Sequence, residues 1–516
     1  MDHLDSALYA IAVVGVFLTI CFIGLVVKKK LTPHQLPLPP GPKGLPFIGN
    51  ALQINKTEPW LTYKEWTQTY GEIVSCKLLG QTYIIINSER VAKALLDQRS
   101  SIYSDRPVIK TSEAFGLEFN TGHQAYGDTW KAHRKIVQQC FNSSIIPKYH
   151  AAVTEKARAL MLNLLHSPER FESHMGMFSA SIIMAITYGY NVIEKDDPFV
   201  GPIEEMVKIA INMTPERAVL LELFPHILKF PIPSWFPGAW LQRLARRSKE
   251  LSPKIRDIPF QFVKECLAKG IENDSMVAQC LNDEDKNAAG QDRVSYEQII
   301  KDAATSCFLA GTDTTQATLN TLILAMIMYP EVQDRAQALL DKVVGRDRLP
   351  TLNDRASLQY IDAMLREALR WGSLVPMCVP HRVTQDDVFE RSLIPKGAVI
   401  IPNLWGMARD EEVYPGPTTF NPDRYLDANG NIITDELSGV YFGYGRRVCP
   451  GRYLAHTSTW LAGANMLLLF RFSKAIGPAG YEIDVFHKFT GGVACRPVSF
   501  PCRITPRFEG IKDLLE

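Results

Sequence analysis

From Ser295 to Tyr329 the chain runs without a proline and is apolar nearly all round, with Gln298 three residues after Ser295 in the spacing of a capping box. About 35 residues of helix rise some 50 Å, and a helix of that length without a polar face has to be buried. Pro330 ends the segment and opens a next helix, which Gly345 closes. The chain's 516 residues suffice for one large fold or two tightly packed lobes around such a rod.

Strand signals are few. "CKLLG" and "TYIIIN" flank Gly80-Gln81 as a hairpin, and "VFERSLI" and "AVIIPN" bracket the turn-forming Pro395-Lys396-Gly397. Most of the remainder has helical period, so the expected class is mainly α with a small β region. With 56 basic and 55 acidic residues the formal net charge is +1, which gives no pointer to nucleic acid. Ten cysteines lie scattered without CxxC pairs, a pattern that fits a reducing compartment and argues against structural zinc.

Residues Ala7 to Val27 carry no charge, and Lys28, Lys29 and Lys30 follow at once. That length crosses the hydrocarbon of a bilayer as a helix, and the lysines orient the rest of the chain toward the cytosol. The expected organisation is a transmembrane signal anchor at 7–27, a basic and proline-rich linker at 28–45, and a catalytic domain at 46–516. The sequons at Asn55, Asn142, Asn212 and Asn273 would then face away from the glycosylation machinery and stay unmodified. The stretch Leu223 to Arg247 is apolar, aromatic and broken by prolines. It reads equally as packing between helices or as a loop dipping into the bilayer interface through Trp235, Phe236 and Trp240.

The sequence "FGYGRRVCPGRYLA", Phe442 to Ala455, sets one cysteine between a pair of arginines and Pro-Gly. Gly445 and Gly451 permit tight turns and close approaches, and Pro450 suits the first position of the helix that follows. A sulfur at a helix N-terminus is favoured as thiolate, which makes Cys449 either a nucleophile or a metal ligand. Phe442 can shield it, and Arg447 can pair with an anionic group.

The spacing Phe-x-x-Gly-x-Arg-x-Cys-x-Gly, complete as Phe442, Gly445, Arg447, Cys449 and Gly451, resembles the haem-binding loop of the cytochrome P450 family. Three other stretches extend the resemblance. "EALR" and "FNPDRY" supply Glu367, Arg370 and Arg424, which the family joins in a buried structural network. "WKAHR" places Trp130 and Arg134 on one helical face toward a haem propionate, and in "PHR" His381 is favoured over Arg382 for a second such contact. "AGTDTT" puts Asp313 and Thr314 in the middle of the long helix as the acid–alcohol pair that delivers protons. The resemblance is strongest to fungal microsomal members, in particular the basidiomycete O-methylsterigmatocystin oxidoreductase type.

What the resemblance implies is haem b with Cys449 as its metal ligand, a single catalytic globule on the endoplasmic reticulum membrane, and electrons from NADPH through NADPH–cytochrome P450 reductase. It also implies insertion of one oxygen atom from O2 into a lipophilic substrate, in secondary metabolism or xenobiotic oxidation. Substrate-facing segments are expected at Phe115 to Phe119, near Phe308 and Ala310, at Leu374 to Pro380 and at Phe489 to Ala494. A basic patch of Lys131, Arg134, Lys135, Arg446 and Arg452 would meet the reductase. Two other readings compete: a reductase-independent haem-thiolate isomerase or dehydratase, against which Asp313 and Thr314 argue, and a non-catalytic haem sensor.

Overall fold

The helices that build the interior are α1 (Asp128–Phe141), α2 (His150–His166), α3 (Phe171–Tyr188), α4 (Ala239–Ala268), α5 (Arg293–Met328), α6 (Pro330–Val343), α7 (Gln359–Gly372) and α8 (Arg452–Leu469). They come from a computed structural model that describes residues 36–108, 110–193, 197–212, 233, 235, 239–283, 293–434 and 439–516. The long segment is α5. It starts at Arg293, so Ser295 lies inside it, and the Gln298 amide donates to Asp302 Oδ1 at 2.7 Å instead of closing a capping box. Pro330 opens α6 as expected, because its missing N–H is no loss in a first turn.

Helix α5 packs against α1, α3, α4, α7 and α8. At Gly311 the approach of α3 is close: a Cβ there would meet the Ile183 side chain at 3.1 Å. Its hydroxyls survive burial by bonding back one turn. Thr305, Ser306, Thr312, Thr314, Thr318 and Thr321 donate to the carbonyls of Lys301, Asp302, Phe308, Ala310, Thr314 and Ala317 at 2.7–2.9 Å. Helix α8 is buried along almost its whole length, with Trp460 inaccessible. It begins at Arg452, two residues after Pro450, because Pro450 and Gly451 form the turn that delivers it.

Strands β1 (Ile73–Leu78) and β2 (Gln81–Ile86) form the expected hairpin, turning through Leu79 and Gly80 at φ 53° and 86°. Both central residues are left-handed, the geometry that matches strand twist. Strand β3 (His381–Arg382) pairs antiparallel with β6 (Val399–Pro402), which runs parallel to β2, giving the order β1-β2-β6-β3. The second hairpin differs from expectation. Strands β4 (Asp387–Phe389) and β5 (Ser392–Ile394) pair with each other through Glu390 and Arg391 at φ 46° and 65°, inside the stretch read as one strand. Strands β7 (Phe470–Lys474) and β8 (Cys502–Pro506) close the C-terminal end.

The expected anchor at 7–27 and most of the Leu223 to Arg247 stretch lie outside the described residues. No described helix is long and apolar enough to cross a membrane. The proline-rich stretch docks on the globule. The Pro37 carbonyl accepts from Leu393 N–H at 2.8 Å, and the Pro39 and Pro40 carbonyls accept from the Ser75 hydroxyl and N–H at 2.6 and 2.9 Å.

Candidate active site

Backbone turns, more than side chains, aim Cys449. Gly439 and Gly443 exchange N–H···O bonds of 2.9 and 2.8 Å, and the Gly445 N–H donates to the Asp97 carboxylate. Gly445 sits at φ +58°, where a Cβ would lie 2.0 Å from the Leu96 carbonyl oxygen, so no other residue fits. Cys449 N–H then reaches back to the Phe442 carbonyl at 2.9 Å. Burial pushes the Cys449 thiol up, while the N–H groups of Gly451 and Arg452 and the charges of Arg134 and Arg452 pull it down without overcoming burial. As a whole residue Cys449 is half-buried. A bound metal cation would complete its deprotonation, since a coordinating thiol ionises outright.

Near this sulfur the charges are mainly cationic, with the Asp105 carboxylate acting on Arg106 and Arg447. Arg106 is buried, and among the described residues its guanidinium donates to the carbonyls of Gly122, Val379 and Pro380, at 3.1, 2.6 and 2.9 Å. Burial pulls it down to about 10. Arg447 lies over the Trp130 ring at 4.1 Å and donates to the Ser104 and Gln124 carbonyls at 2.8 Å each, while its Nη1 is buried without a partner. Burial, then Arg106, pulls it down to about 9. Arg134 has no ion-pair or hydrogen-bond partner among the described residues, and burial lowers it too. His123 Nδ1 is likewise buried and unpartnered.

His381 Nδ1 is 2.7 Å from the Tyr103 carbonyl, which can only accept, so Nδ1 carries the proton. Burial, with Arg106 and Arg447 beside it, holds the ring neutral. Arg382 is engaged elsewhere, 2.5 Å from Asp105. Asp105 is thus bound to Arg382, and it acts on Arg106 and Arg447 as a neighbouring charge without an ion pair to either among the described residues.

Facing this cluster, α5 changes character. Ala303 to Ser306 and Ala317 to Ile327 are buried, yet Ala310 is exposed and Cys307, Gly311 and Thr314 are half-buried. These four fall on one face, at i, i+3, i+4 and i+7. Cys307 on this face lies near the sulfur: burial, then Cys140 and Cys449, push its thiol up, and Arg134 draws it down. Thr314 gives its hydroxyl proton to the Ala310 carbonyl at 2.9 Å, leaving its oxygen free to accept. Asp313 lies 3.5 Å from Arg496. Phe308 does not share this face: it is fully buried, edge-on to Tyr188 at 6.3 Å, because it is a quarter-turn away from Cys307.

Behind α7 lies a different charge cluster. Arg370 Nη2 and Nε meet the two oxygens of Glu367 at 2.7 Å each, and Arg424 Nε meets Oε1 at 3.2 Å. Asn421 N–H and Tyr425 hydroxyl complete the carboxylate at 2.8 and 3.1 Å. Arg370 also donates to the carbonyls of Ala408 and Pro417, and Arg424 to those of Pro415 and Gly416.

Residues 39–490 match the sequence profile of the family described as Cytochrome P450. The chain belongs to the cytochrome P450 family. It is similar to the cytochrome P450 monooxygenase claR of Ampulloclitocybe clavipes, 36% identical over 93% of this chain and 88% of that protein. A cytochrome P450 monooxygenase of Armillaria gallica is 35% identical over 99% of both chains, and cytochrome P450 monooxygenase 176 of Postia placenta is 33% identical over 100% of this chain and 98% of its own. The chain is a haem-thiolate monooxygenase, as these P450 relatives are named.

The residues fit the family's haem. Haem b carries two carboxylates, and a thiolate adds a third negative charge; Arg106, Arg134 and Arg447 supply three cations without an ion pair among the described residues, one with a buried Nη1 that lacks an acceptor among them. Arg106, His123 and Arg496 escaped the sequence reading. "SDRPV" and "GHQ" have no spacing that separates them from any surface loop, and Arg496 is distant in sequence from the helix it meets. Of the expected basic patch, Arg134 and Arg452 turn inward, the latter donating to the Cys449 carbonyl at 2.9 Å. Lys131, Lys135 and Arg446 remain exposed.

Proposed function

We propose that this P450 is a membrane-anchored monooxygenase that inserts one oxygen atom from O2 into a lipophilic substrate, with NADPH electrons delivered by NADPH–cytochrome P450 reductase. Haem b, held by Cys449, would supply oxygen activation, with the anionic sulfur favouring O–O cleavage. Trp130, Arg134, Arg447 and His381 would hold the haem carboxylates, with Phe442, Gly445 and Gly451 shaping the loop around the sulfur. Thr314 would pass protons to the oxygen atom that leaves as water, and Asp313 would replenish them from solvent. Glu367, Arg370 and Arg424 would hold the fold that presents the loop.

One observation carries the reading: an accessible, small-residue face on an otherwise buried helix, opposite a thiol ringed by unpaired arginines. The buried Phe115, Phe119 and Leu374, of which Phe119 takes the Ser306 hydroxyl of α5 on its carbonyl, favour a hydrophobic substrate such as a terpenoid, polyketide or aromatic compound. Residues 46–516 would form the catalytic domain, on the cytosolic side of the endoplasmic reticulum, anchored by 7–27 through the 28–45 linker.

The test is to express the full chain in microsomes with reductase, supply terpenoid, polyketide and polyaromatic panels, and identify products by mass. Products 16 mass units heavier, dependent on NADPH, are expected. Conversion that proceeds without NADPH or reductase would move the protein to the isomerase class.

A further inference from the structure

The turn Leu352–Ser357, just before α7, sends Arg355 across to α8. Arg355 Nη2 and Nε donate to the Asp362 carboxylate at 2.6 and 3.1 Å, and Nη2 also meets His456 Nδ1. The guanidinium lies over the Trp460 ring, 5.7 Å from its centre. One arginine thereby joins an acid of α7 to two residues a single turn apart on α8. The backbone of the turn is held separately, by the Thr351–Asp354 capping box and by Arg348, which donates to Asp354 at 2.7 and 2.8 Å. Arg355 can therefore rotate away without unravelling the turn that carries it.

This contact fixes the ring. A guanidinium only donates, so Nδ1 accepts, and the proton of neutral His456 sits on Nε2. That Nε2 is buried without a hydrogen-bond partner among the described residues, yet stands 3.4 Å from Asp362 Oδ1. The acid beside the ring is already taken by Arg355. The other charges near it are Arg366 on α7 and, across Arg355, His150 on α2. Burial, then Arg355 and Arg366, hold His456 well below its ordinary value. The arginine side chain is 26% accessible, against 11% for the carboxylate and 5% for the ring, so of the three Arg355 is the one with water to move into.

We propose that Arg355, Asp362 and His456 form a proton-operated latch between α7 and α8. A solvent proton binds His456 Nδ1; both ring nitrogens then donate, Arg355 loses its acceptor and swings outward, and the imidazolium takes its place on Asp362. One N–H bond forms, nothing is oxidised or reduced, and Arg355 stays protonated throughout. Because α8 starts three residues after Cys449 and α7 carries Glu367, the closed latch ties the helix behind the sulfur loop to the Glu367 network, and opening it loosens the seat of the sulfur. His456 binds fewer protons folded than unfolded. Stability from the closed latch is therefore complete above the unfolded value of about 6.5 and is lost as pH falls below it.

The test uses haem-loaded full chains of His456→Gln, Arg355→Lys and the double variant Arg355→Lys/His456→Gln, taken from neutral pH downward. Hydroxyl-radical oxidation of Trp460, located by mass, reads the latch without reference to the iron; the pH midpoint for loss of the red-shifted carbonyl Soret band reads the sulfur. In the unaltered chain Trp460 oxidation is expected to rise severalfold below about pH 6.5, ahead of the band. His456→Gln is expected to flatten that profile and move the band midpoint to lower pH. Arg355→Lys keeps a cation on Asp362 but cannot span both groups, so the midpoint should move upward, and the double variant should lose that shift. A band midpoint unmoved by His456→Gln overturns the latch. So does a His456→Gln chain weakened equally at every pH in urea, which would make the ring structural only. Should His456→Gln load no haem, the unaltered chain decides: Trp460 oxidation that stays flat until global unfolding overturns the proposal.

Discussion

Two clusters of buried charge, one on α7 around Glu367 and one near the Cys449 loop, are built on opposite rules. In the first, Glu367 takes hydrogen bonds from Arg370, Arg424, Asn421 and Tyr425, and both arginines fill their remaining donors with carbonyls. In the second, Arg106, Arg134 and Arg447 gather near the Cys449 loop without an ion pair of their own among the described residues, Asp105 acting on Arg106 and Arg447 only as a neighbouring charge already bound to Arg382. A saturated network is complete without a ligand and holds structure. An unsaturated one stores a charge demand that something anionic must meet.

The largest effect is expected where the saturated cluster is broken. Glu367→Gln leaves two buried guanidinium groups without their anion, a loss of about 3–5 kcal/mol against a total stability of about 5–15 kcal/mol. Little folded, haem-containing protein should accumulate, read as haem per polypeptide and as the urea midpoint; normal values for both would show that the network is dispensable. Next comes Cys449→Ser. The fold should persist, while the ferrous carbonyl complex loses the red-shifted Soret band of sulfur ligation; retention of that band would mean another ligand.

The sharpest contrast is one of sign. Arg134→Met removes an unpaired cation, so haem-stripped protein is expected to become more stable by about 1–3 kcal/mol, whereas haem transfer to an acceptor protein should quicken about tenfold, equivalent to about 1.4 kcal/mol. Destabilisation of both forms would make Arg134 structural like Arg370.

pH separates loaded from stripped protein in the same cluster. Burial, then Arg106, holds His123 down to about 4 and His381 well below its ordinary value, so each binds fewer protons folded than unfolded. Stability from the neutral rings is complete above the unfolded value of about 6.5 and is lost as pH falls from there toward about 4. Haem carboxylates beside the rings would reverse part of that shift. The urea midpoint of stripped protein should therefore fall more steeply over this window than that of loaded protein, and equal slopes would separate the histidines from the carboxylates. The smallest effect belongs to the surface: Lys135→Glu should lower reductase-supported turnover a few-fold at low salt, with the difference fading as ionic strength rises. A salt-independent rate would remove that residue from the docking face.

Local pattern was readable where local rules decide the outcome. The β1–β2 hairpin, Pro330 at the start of α6 and the buried length of α5 follow from residues that are neighbours in the chain. The β4–β5 turn escaped because Glu390 and Arg391 adopt left-handed conformations that their side chains do not announce, while Gly397, the obvious candidate, is used to return the chain to β6. Ser295 looked like a cap, but α5 extends past it. The loop around Cys449 was visible as a spacing of glycines, arginine and cysteine, and Phe308 was misjudged because period alone does not say which side of a fully apolar helix faces open space.

The sequence by itself determined the family, the long buried helix, the sulfur-bearing loop and the residue types available for charge and proton handling, since each is written in composition, length or fixed spacing along one stretch of backbone. Tertiary structure alone decided that Arg106 joins Arg447, that Arg496 meets Asp313, and that Arg382 is claimed by Asp105. The reason is physical. Whether a charge is paired depends on which groups packing brings within a few ångströms of it, and for these residues the partner lies on another element whose position no local rule encodes.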